Sequence, residues 1–410
     1  MESTLDLLVQ RGFVNQTSND AALREALRQP ITVYCGYDAT APSLHVGHLV
    51  QIMLLANLNR AGHRVIAVVG GGTTMVGDPT GKTEARPILS PEQIRANQEG
   101  IKAQLGRYLD FASGRAMMVN NADWLLRLGY VEFLREIGRH FSVNQLLQHE
   151  TYRQRIEGHG LSFIELNYAL LQAYDFLHLF REYGCRLQIG GTDQWFNILS
   201  GVDLIRRVEG KEAFALVSPL ITTSSGAKMG KTEGGAVWLD PALTTPYDFY
   251  QYWRNTEDAD VGRFFRLFTF LPEAEIERYE TLAGAELNAA KERLAYEITA
   301  LTHGEDAARD AQSAAQALFG RDGGNLETVP TTAVPPDRLA GGIEVVDLLV
   351  MSTLAPSKAA ARRLIQQGGA YVGEQRVDDP SQRIAPDAIG EGGLLLRAGK
   401  KRYHRIVPGG

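Results

Sequence analysis

Tyr34-Cys35-Gly36-Tyr37-Asp38-Ala39-Thr40-Ala41-Pro42-Ser43-Leu44-His45-Val46-Gly47-His48-Leu49 joins two elements of different kind. Before it, Ile31 to Gly36 reads as a short buried strand. After it, His45 to Ala61 carries Leu49, Ile52, Met53 and Ala56 at helical spacing and is closed by Gly62 as a C-cap. Arg64 to Gly70 (RVIAVVG) is then a second, wholly apolar strand. Strand, helix and strand with this punctuation make a βαβ unit and imply a parallel sheet. Upstream, residues 1–29 read as amphipathic helix, with Leu5, Leu8 and Val9 and then Leu23, Ala26 and Leu27 on one side, stopped by Pro30. Downstream the pattern returns as a strand, Arg186 to Gly190, and a helix, Asp193 to Val208. Residues 1–220 therefore read as an interrupted doubly wound domain.

Beyond Thr244 strand signals give way to helices such as Leu287 to Leu301 and Ala307 to Leu318. Arg321 to Gly342 is rich in Gly, Pro and Thr, a linker composition. Helices and a short hairpin (AYVGEQRV, turning at Gly373-Glu374) follow. The fold class expected is α/β: a Rossmann-like doubly wound parallel sheet, then an α-helical domain, then a small α+β domain. The boundaries expected are 1–240, 241–320, a linker at 321–342, and 343–410.

The composition, 44% hydrophobic and 22% charged over 410 residues, is that of a soluble globular protein of two or three domains. Two cysteines, Cys35 and Cys185, make no disulfide framework and have no metal-ligand spacing. A reducing, cytoplasmic location is the expectation. The start has no basic region before an apolar core, and no apolar run is long enough for a bilayer. A net charge of −6 argues against nonspecific nucleic-acid binding. From Gly341 to Gly410, however, ten Lys or Arg stand against seven Asp or Glu; that is +3, leaving −9 on the rest of the chain. The tail therefore reads as a module that contacts a polyanion.

The histidines His45 and His48 flank Gly47 where a strand gives way to a helix N-terminus. Backbone N–H groups and the helix dipole attract anions there. Gly47 would let a nucleotide approach the backbone, and the two imidazoles could stabilise charge on a phosphate in flight. Solvated caps are the plainer reading of the same pair. Lys228-Met229-Gly230-Lys231-Thr232 sits in the Gly/Ser/Thr-rich loop 222–235, where two lysines three apart and a hydroxyl suit a leaving pyrophosphate. Gly77-Asp78-Pro79-Thr80-Gly81-Lys82-Thr83 invites a P-loop reading, but that pattern needs glycine at 76 and Val76 is there. Lys82 and Arg86 remain as partners for ATP phosphates, with a solvated loop as the alternative.

In this order, on a βαβ pattern, H-x-G-H and K-M-G-K-T resemble the two signatures of class I aminoacyl-tRNA synthetases, usually written HIGH and KMSKS. Val46 replaces the isoleucine, and Gly230 and Thr232 replace two serines; both lysines are kept. The segments Tyr34-Cys35-Gly36, Gly77-Asp78-Pro79, Tyr168 to Asp175 and Leu187 to Gln194 resemble the bacterial tyrosyl-tRNA synthetases, and the likeness runs over nearly the whole chain. That resemblance implies that Tyr34 and Asp175 bond the tyrosine phenol and that Asp78, Tyr168 and Gln172 hold its ammonium. It implies that Gln188 and Gln194 lie along the amino acid. Cys35, Gly36, Asp38, Thr40, His45, Gly47, His48, Gly191, Asp193, Lys228 and Lys231 would then bind ATP, with Cys35 and Asp193 facing the ribose. The spacing agrees: Tyr168, Gln172 and Asp175 fall at i, i+4 and i+7, on one helix face. No role follows for Gln51.

The resemblance also implies a homodimer through an insertion at about 121–160; Phe133, Phe141, Val143 and Leu146 could line such an interface, and core packing explains them equally well. Ser357 to Val372 resembles an RNA-binding fold first known from a small-subunit ribosomal protein, with Ser357 as N-cap and Lys358, Arg362 and Arg363 on one basic face. The expected catalytic set is His45, His48, Lys228, Lys231 and Thr232, with Lys82 and Arg86 in support. ATP with Mg²⁺, L-tyrosine and tRNA(Tyr) are the expected substrates, with no protein-bound metal and no membrane. Three rivals are a tryptophanyl-tRNA synthetase, a small-molecule nucleotidyltransferase that also uses H-x-G-H, and a synthetase-derived RNA-binding protein. The basic tail, the Tyr34/Asp175 pair and the intact lysine loop argue against them.

Overall fold

A computed structural model describes residues 3–78, 89–158, 160–226, 229–232, 235–284, 286–319, 329–339, 341–373, 375–390, 393–399 and 402–409. The chain divides into two compact bodies, 1–229 with 262–276, and 230–261 with 277–410.

The first body is built on a six-stranded sheet. Its strands are β1 (Gln16–Thr17), β2 (Thr32–Tyr37), β3 (Arg64–Val69), β4 (Ala116–Asn120), β5 (Cys185–Gly191) and β6 (Phe214–Ser218), in the order β1-β6-β5-β2-β3-β4. All neighbours from β6 to β4 are parallel, and β1 closes the β6 edge antiparallel. A parallel sheet is covered on both faces, so its strands are apolar throughout rather than alternating; β3 is buried at every residue except Arg64. From β2 the chain steps outward through β3 to β4, then returns to lay β5 on the opposite flank of β2. The switch point therefore lies at the carboxyl ends of β2 and β5, where ligands bind in sheets of this kind.

Helix α1 (Leu49–Arg60) crosses from β2 to β3, with Gly62 beyond it at φ +98°, a conformation that favours glycine. Helix α2 (Phe163–Tyr183) starts at a capping box formed by Ser162 and Glu165 and ends at Gly184 in the left-handed region. Helix α3 (Trp195–Glu209) packs against α2 so closely that a Cβ on Gly201 would lie 2.9 Å from the Phe176 ring. Between β4 and α2 four short α-helices and a 3-10 turn form the described part of the insertion, in which Phe133 and Leu146 are core residues and Phe141 packs against the same core. Val143 is exposed.

The N-terminus differs from the expected single helix over 1–29. Two short helices, Thr4–Gln10 and Asp20–Ala26, flank β1. The unpaired edge of β6 recruits the segment between them: Asn15 N donates to Val217 O at 2.9 Å and Ser18 N to Ala215 O at 3.0 Å. Asn19 then caps the second helix.

The second body holds the helices Pro246–Arg254, Glu286–His303 and Glu305–Phe319, then Val345–Met351 and Lys358–Gln366. Ser357 caps the last of these, its side chain accepting from Ala360 N. A five-stranded sheet follows, in which Thr331–Val334, inside the stretch read as linker, pairs parallel with Arg402–Pro408. Among the described residues, no helix is long and apolar enough to cross a membrane.

Candidate active site

At the switch point the first body encloses a cavity of about 310 Å³. The seven residues expected around tyrosine, Tyr34, Asp78, Tyr168, Gln172, Asp175, Gln188 and Gln194, all line it. So do Cys35, Gly36, Asp38, Thr40, His45, Gly47, His48, Gly191 and Asp193. Strand ends β2 and β5, the turn after β2 and one face of α2 supply most of these, which is why segments far apart in sequence converge.

Asp175 lies at the closed end, 4% exposed. Its Oδ1 accepts from Trp124 Nε1 at 2.7 Å and its Oδ2 from Asn121 Nδ2 at 2.9 Å. Burial pushes its pKa up to about 7, against the pull of those two donors and with a further push from the charge of Asp38. Tyr34 is 2% exposed, and its hydroxyl finds no hydrogen-bond partner among the described residues. Burial, and then the charge of Asp175, hold that phenol in its neutral form. The buried Gln188 Oε1 likewise has no partner among the described residues. Two buried, unpartnered polar groups in one cavity with a buried carboxylate form a site that a polar ligand completes.

Further out, the Tyr168 hydroxyl donates to both oxygens of Asp38, at 3.3 and 3.2 Å. Gln194 Nε2 donates to Asp78 Oδ2 at 2.8 Å, and Asn197 Nδ2 to Gln194 Oε1 at 3.2 Å. Gln51 Nε2 donates to Ser218 Oγ at 3.2 Å, so this residue, given no role above, braces β6 at the cavity wall.

The histidine turn is a 3-10 turn, Val46–His48, that runs into α1. Gly47 N donates to His45 Nδ1 at 3.0 Å, and His45 N donates to His48 Nδ1 at 3.2 Å. A backbone N–H can only donate, so both Nδ1 atoms accept and both rings carry their proton on Nε2. A Cβ on Gly47 would lie 2.8 Å from His45 Cε1. The glycine is thus required by the folded-back His45 ring itself. The same Cβ would come 3.6 Å from Met229 O, which brings the residue after Lys228 up to this turn.

Lys82, Arg86 and Lys228 lie outside the described residues. Lys231 and Thr232 form a short strand paired with Gly235–Ala236 in the second body. Lys358, Arg362 and Arg363 are all exposed on their helix, and Lys358 Nζ pairs with Asp347 Oδ1 at 2.5 Å. Sequence reasoning missed Asn121, Trp124 and Thr73. Asn121 directly follows the apolar strand β4 and Thr73 follows β3 after Gly70-Gly71-Gly72, both at the carboxyl edge, which was the available signal; Trp124 had only its helical spacing from Asn121. A larger cavity of about 690 Å³ lies beyond Trp124 and holds none of the expected site residues. Among the described residues, no group of three His, Cys, Asp or Glu could hold a metal ion.

Residues 26–320 match the model of class I tRNA synthetases (W and Y), and residues 324–406 match that of the tyrosine–tRNA ligase SYY-like C-terminal domain. The chain is 51% identical over 407 residues to a tyrosine–tRNA ligase of Acetivibrio thermocellus, covering 99% of each chain. It is 52% identical over 408 residues to one of Clostridium botulinum strain Loch Maree, covering 99% of this chain and all of the relative. The chain belongs to the bacterial tyrosine–tRNA ligase family. Its fold is also that of a C-terminally truncated mitochondrial tyrosyl-tRNA synthetase of Aspergillus nidulans, with a TM-score of 0.71 and 30% identity over 78% of this chain and 95% of that one. As a member of the tyrosine–tRNA ligase family the chain is an enzyme, an aminoacyl-tRNA synthetase with ATP as a substrate.

Proposed function

We propose that the cavity holds tyrosine with its phenol between Tyr34 and Asp175 and its ammonium toward Asp78, Tyr168 and Gln172. One observation carries this reading: a buried carboxyl and a buried, unpartnered phenol face the same cavity as the H-x-G-H turn. Gln188 and Gln194 lie along the amino acid. ATP lies along Cys35, Gly36, Asp38, Thr40, Gly191 and Asp193, with its phosphates at His45, Gly47 and His48.

The tyrosine carboxylate attacks the α-phosphate of Mg-ATP, the new P–O bond gives tyrosyl-adenylate, and pyrophosphate leaves. A ribose hydroxyl at the tRNA 3′ end then takes the acyl group and AMP leaves. The chain supplies position and charge stabilisation and no nucleophile; burial pushes the Cys35 thiol up to about 12, so it stays a neutral thiol. The Nε2–H groups of His45 and His48 face charge that develops on the phosphates. Lys228, Lys231 and Thr232 receive the leaving pyrophosphate, with Lys82 and Arg86 in support.

The C-terminal domain, which takes in the strand Thr331–Val334 as well as residues 343–410, acts as the tRNA(Tyr)-binding module after the helices of 241–320. Exposed Val131 (76%) and Val143 (54%) support a homodimer through the 121–160 insertion. The cytoplasm is the compartment of the reaction, in keeping with two buried free thiols.

Amino-acid-dependent exchange of pyrophosphate into ATP, run with each amino acid in turn, tests the substrate. Tyrosine alone should drive it; comparable turnover with tryptophan overturns the assignment.

A further inference from the structure

Thr73 follows the carboxyl end of β3, outside every motif above, and the polarity of its hydrogen bonds is fixed link by link. Gly72 N–H can only donate, so the Asn121 atom 2.7 Å from it is the side-chain carbonyl, Oδ1. Asn121 Nδ2 must then face the other way, where it donates to Asp175 Oδ2 at 2.9 Å and to Thr73 Oγ1 at 3.0 Å. A hydroxyl carries one proton, and Thr73 spends it on Asp38 Oδ1 at 3.2 Å, the carboxylate to which Tyr168 also donates. Thr73 is 3% exposed and Asn121 1%, so bulk water competes at neither link. Gly70 leaves the room for this contact: a Cβ there would lie 2.4 Å from Asp38 Oδ1 and 2.5 Å from Thr73 Oγ1.

We infer that Thr73 is a positioning residue that couples the two ends of the tyrosine site. Through its hydroxyl, the Asn121–Asp175 pair at the phenol end and the Asp38–Tyr168 pair at the ammonium end form one hydrogen-bonded unit. Fixing either end therefore orders the other. The inference rests on the tyrosine reading of the cavity given above.

Thr73→Val keeps the branched shape and removes only the hydroxyl. It leaves one Asn121 N–H without its acceptor and takes one of its donors from Asp38 Oδ1, which keeps Tyr168, so the KM for tyrosine in pyrophosphate exchange should rise ~10-fold. Thr73→Ser should restore it to within about twofold of the native value, since serine keeps the donor. Coupling separates this role from a merely structural one. Asn121→Ala and Tyr168→Phe, made singly and together, should deviate from additivity in kcat/KM by ~5-fold in the native background and be additive in Thr73→Val. Melting curves check that each variant folds. An unchanged tyrosine KM in folded Thr73→Val, or the same non-additivity without the hydroxyl, overturns the inference alone. Absence of tyrosine-dependent exchange in the unaltered chain overturns the tyrosine reading and the inference with it.

Discussion

Trp124→Phe tests whether Asp175 meets the substrate as a carboxylate. The indole Nε1–H donates to Asp175 Oδ1 at 2.7 Å, and the indole ring stacks on His178 with centroids 4.3 Å apart. Phenylalanine keeps a ring in that stack and removes only the donor. A hydrogen bond to a charged group contributes roughly 1.5–3 kcal/mol, and one pKa unit corresponds to about 1.4 kcal/mol. Asp175, already pushed up to about 7, should therefore climb by about one to two further units. At pH 7 its ionised fraction would fall from about a half to about a tenth or less. If the phenol donates to the carboxylate, the KM for tyrosine at pH 7 should rise at least ~5-fold, and the deficit should shrink toward pH 9. Tyrosine titrations of pyrophosphate exchange at half-unit intervals of pH read both effects. A KM profile that superimposes on that of the native chain refutes the reasoning, because the donor would then have had no hold on the carboxyl.

The same shift has a signature in stability. The folded-state pKa of Asp175 is raised above its unfolded value near 3.8, so the folded chain binds more protons than the unfolded chain between about pH 4 and 7. Its contribution is full below pH ~4 and is lost as pH rises through about 7. Trp124→Phe should accordingly lower the urea midpoint more at pH 8 than at pH 5.

Asp175→Ala should abolish tyrosine activation and leave a folded chain, read by exchange beside far-UV circular dichroism; retained tyrosine turnover would place the phenol elsewhere. His48→Ala and Lys231→Ala should lower kcat far beyond any rise in the KM for ATP, and a change in KM alone for both would mean uniform ATP binding. Gly47→Ala puts a Cβ 2.8 Å from His45 Cε1 and must displace that ring, so kcat should fall toward that of His45→Ala while tyrosine KM holds. Because Thr331–Val334 pairs with Arg402–Pro408, the tail should be removed after Phe319 rather than at 343. Exchange should survive that cut and tRNA charging should not, while reversing Lys358, Arg362 and Arg363 should flatten the salt dependence of tRNA binding.

What was legible in the sequence follows from how local its cause is. Strands β2 and β3 are buried on both faces and so appear as unbroken apolar runs; Tyr168, Gln172 and Asp175 are one helix face by spacing alone. Strand β1 was illegible because Gln16 and Thr17 carry no apolar signal and are extended only where β6 offers an edge, about two hundred positions away. Asn121 and Thr73 were missed for a related reason. Each acts on a residue that touches substrate, and which residue that is depends on sheet register. The pairing of Val69 with Asn120 sets Asn121 against Gly72 and Thr73; a slip of one residue would turn its amide to the opposite face. Groups that bind a ligand share a chemistry that can be read as a motif. Groups that hold those groups share only a place in the sheet, and their side chains become meaningful once β3, β4 and α2 are packed together.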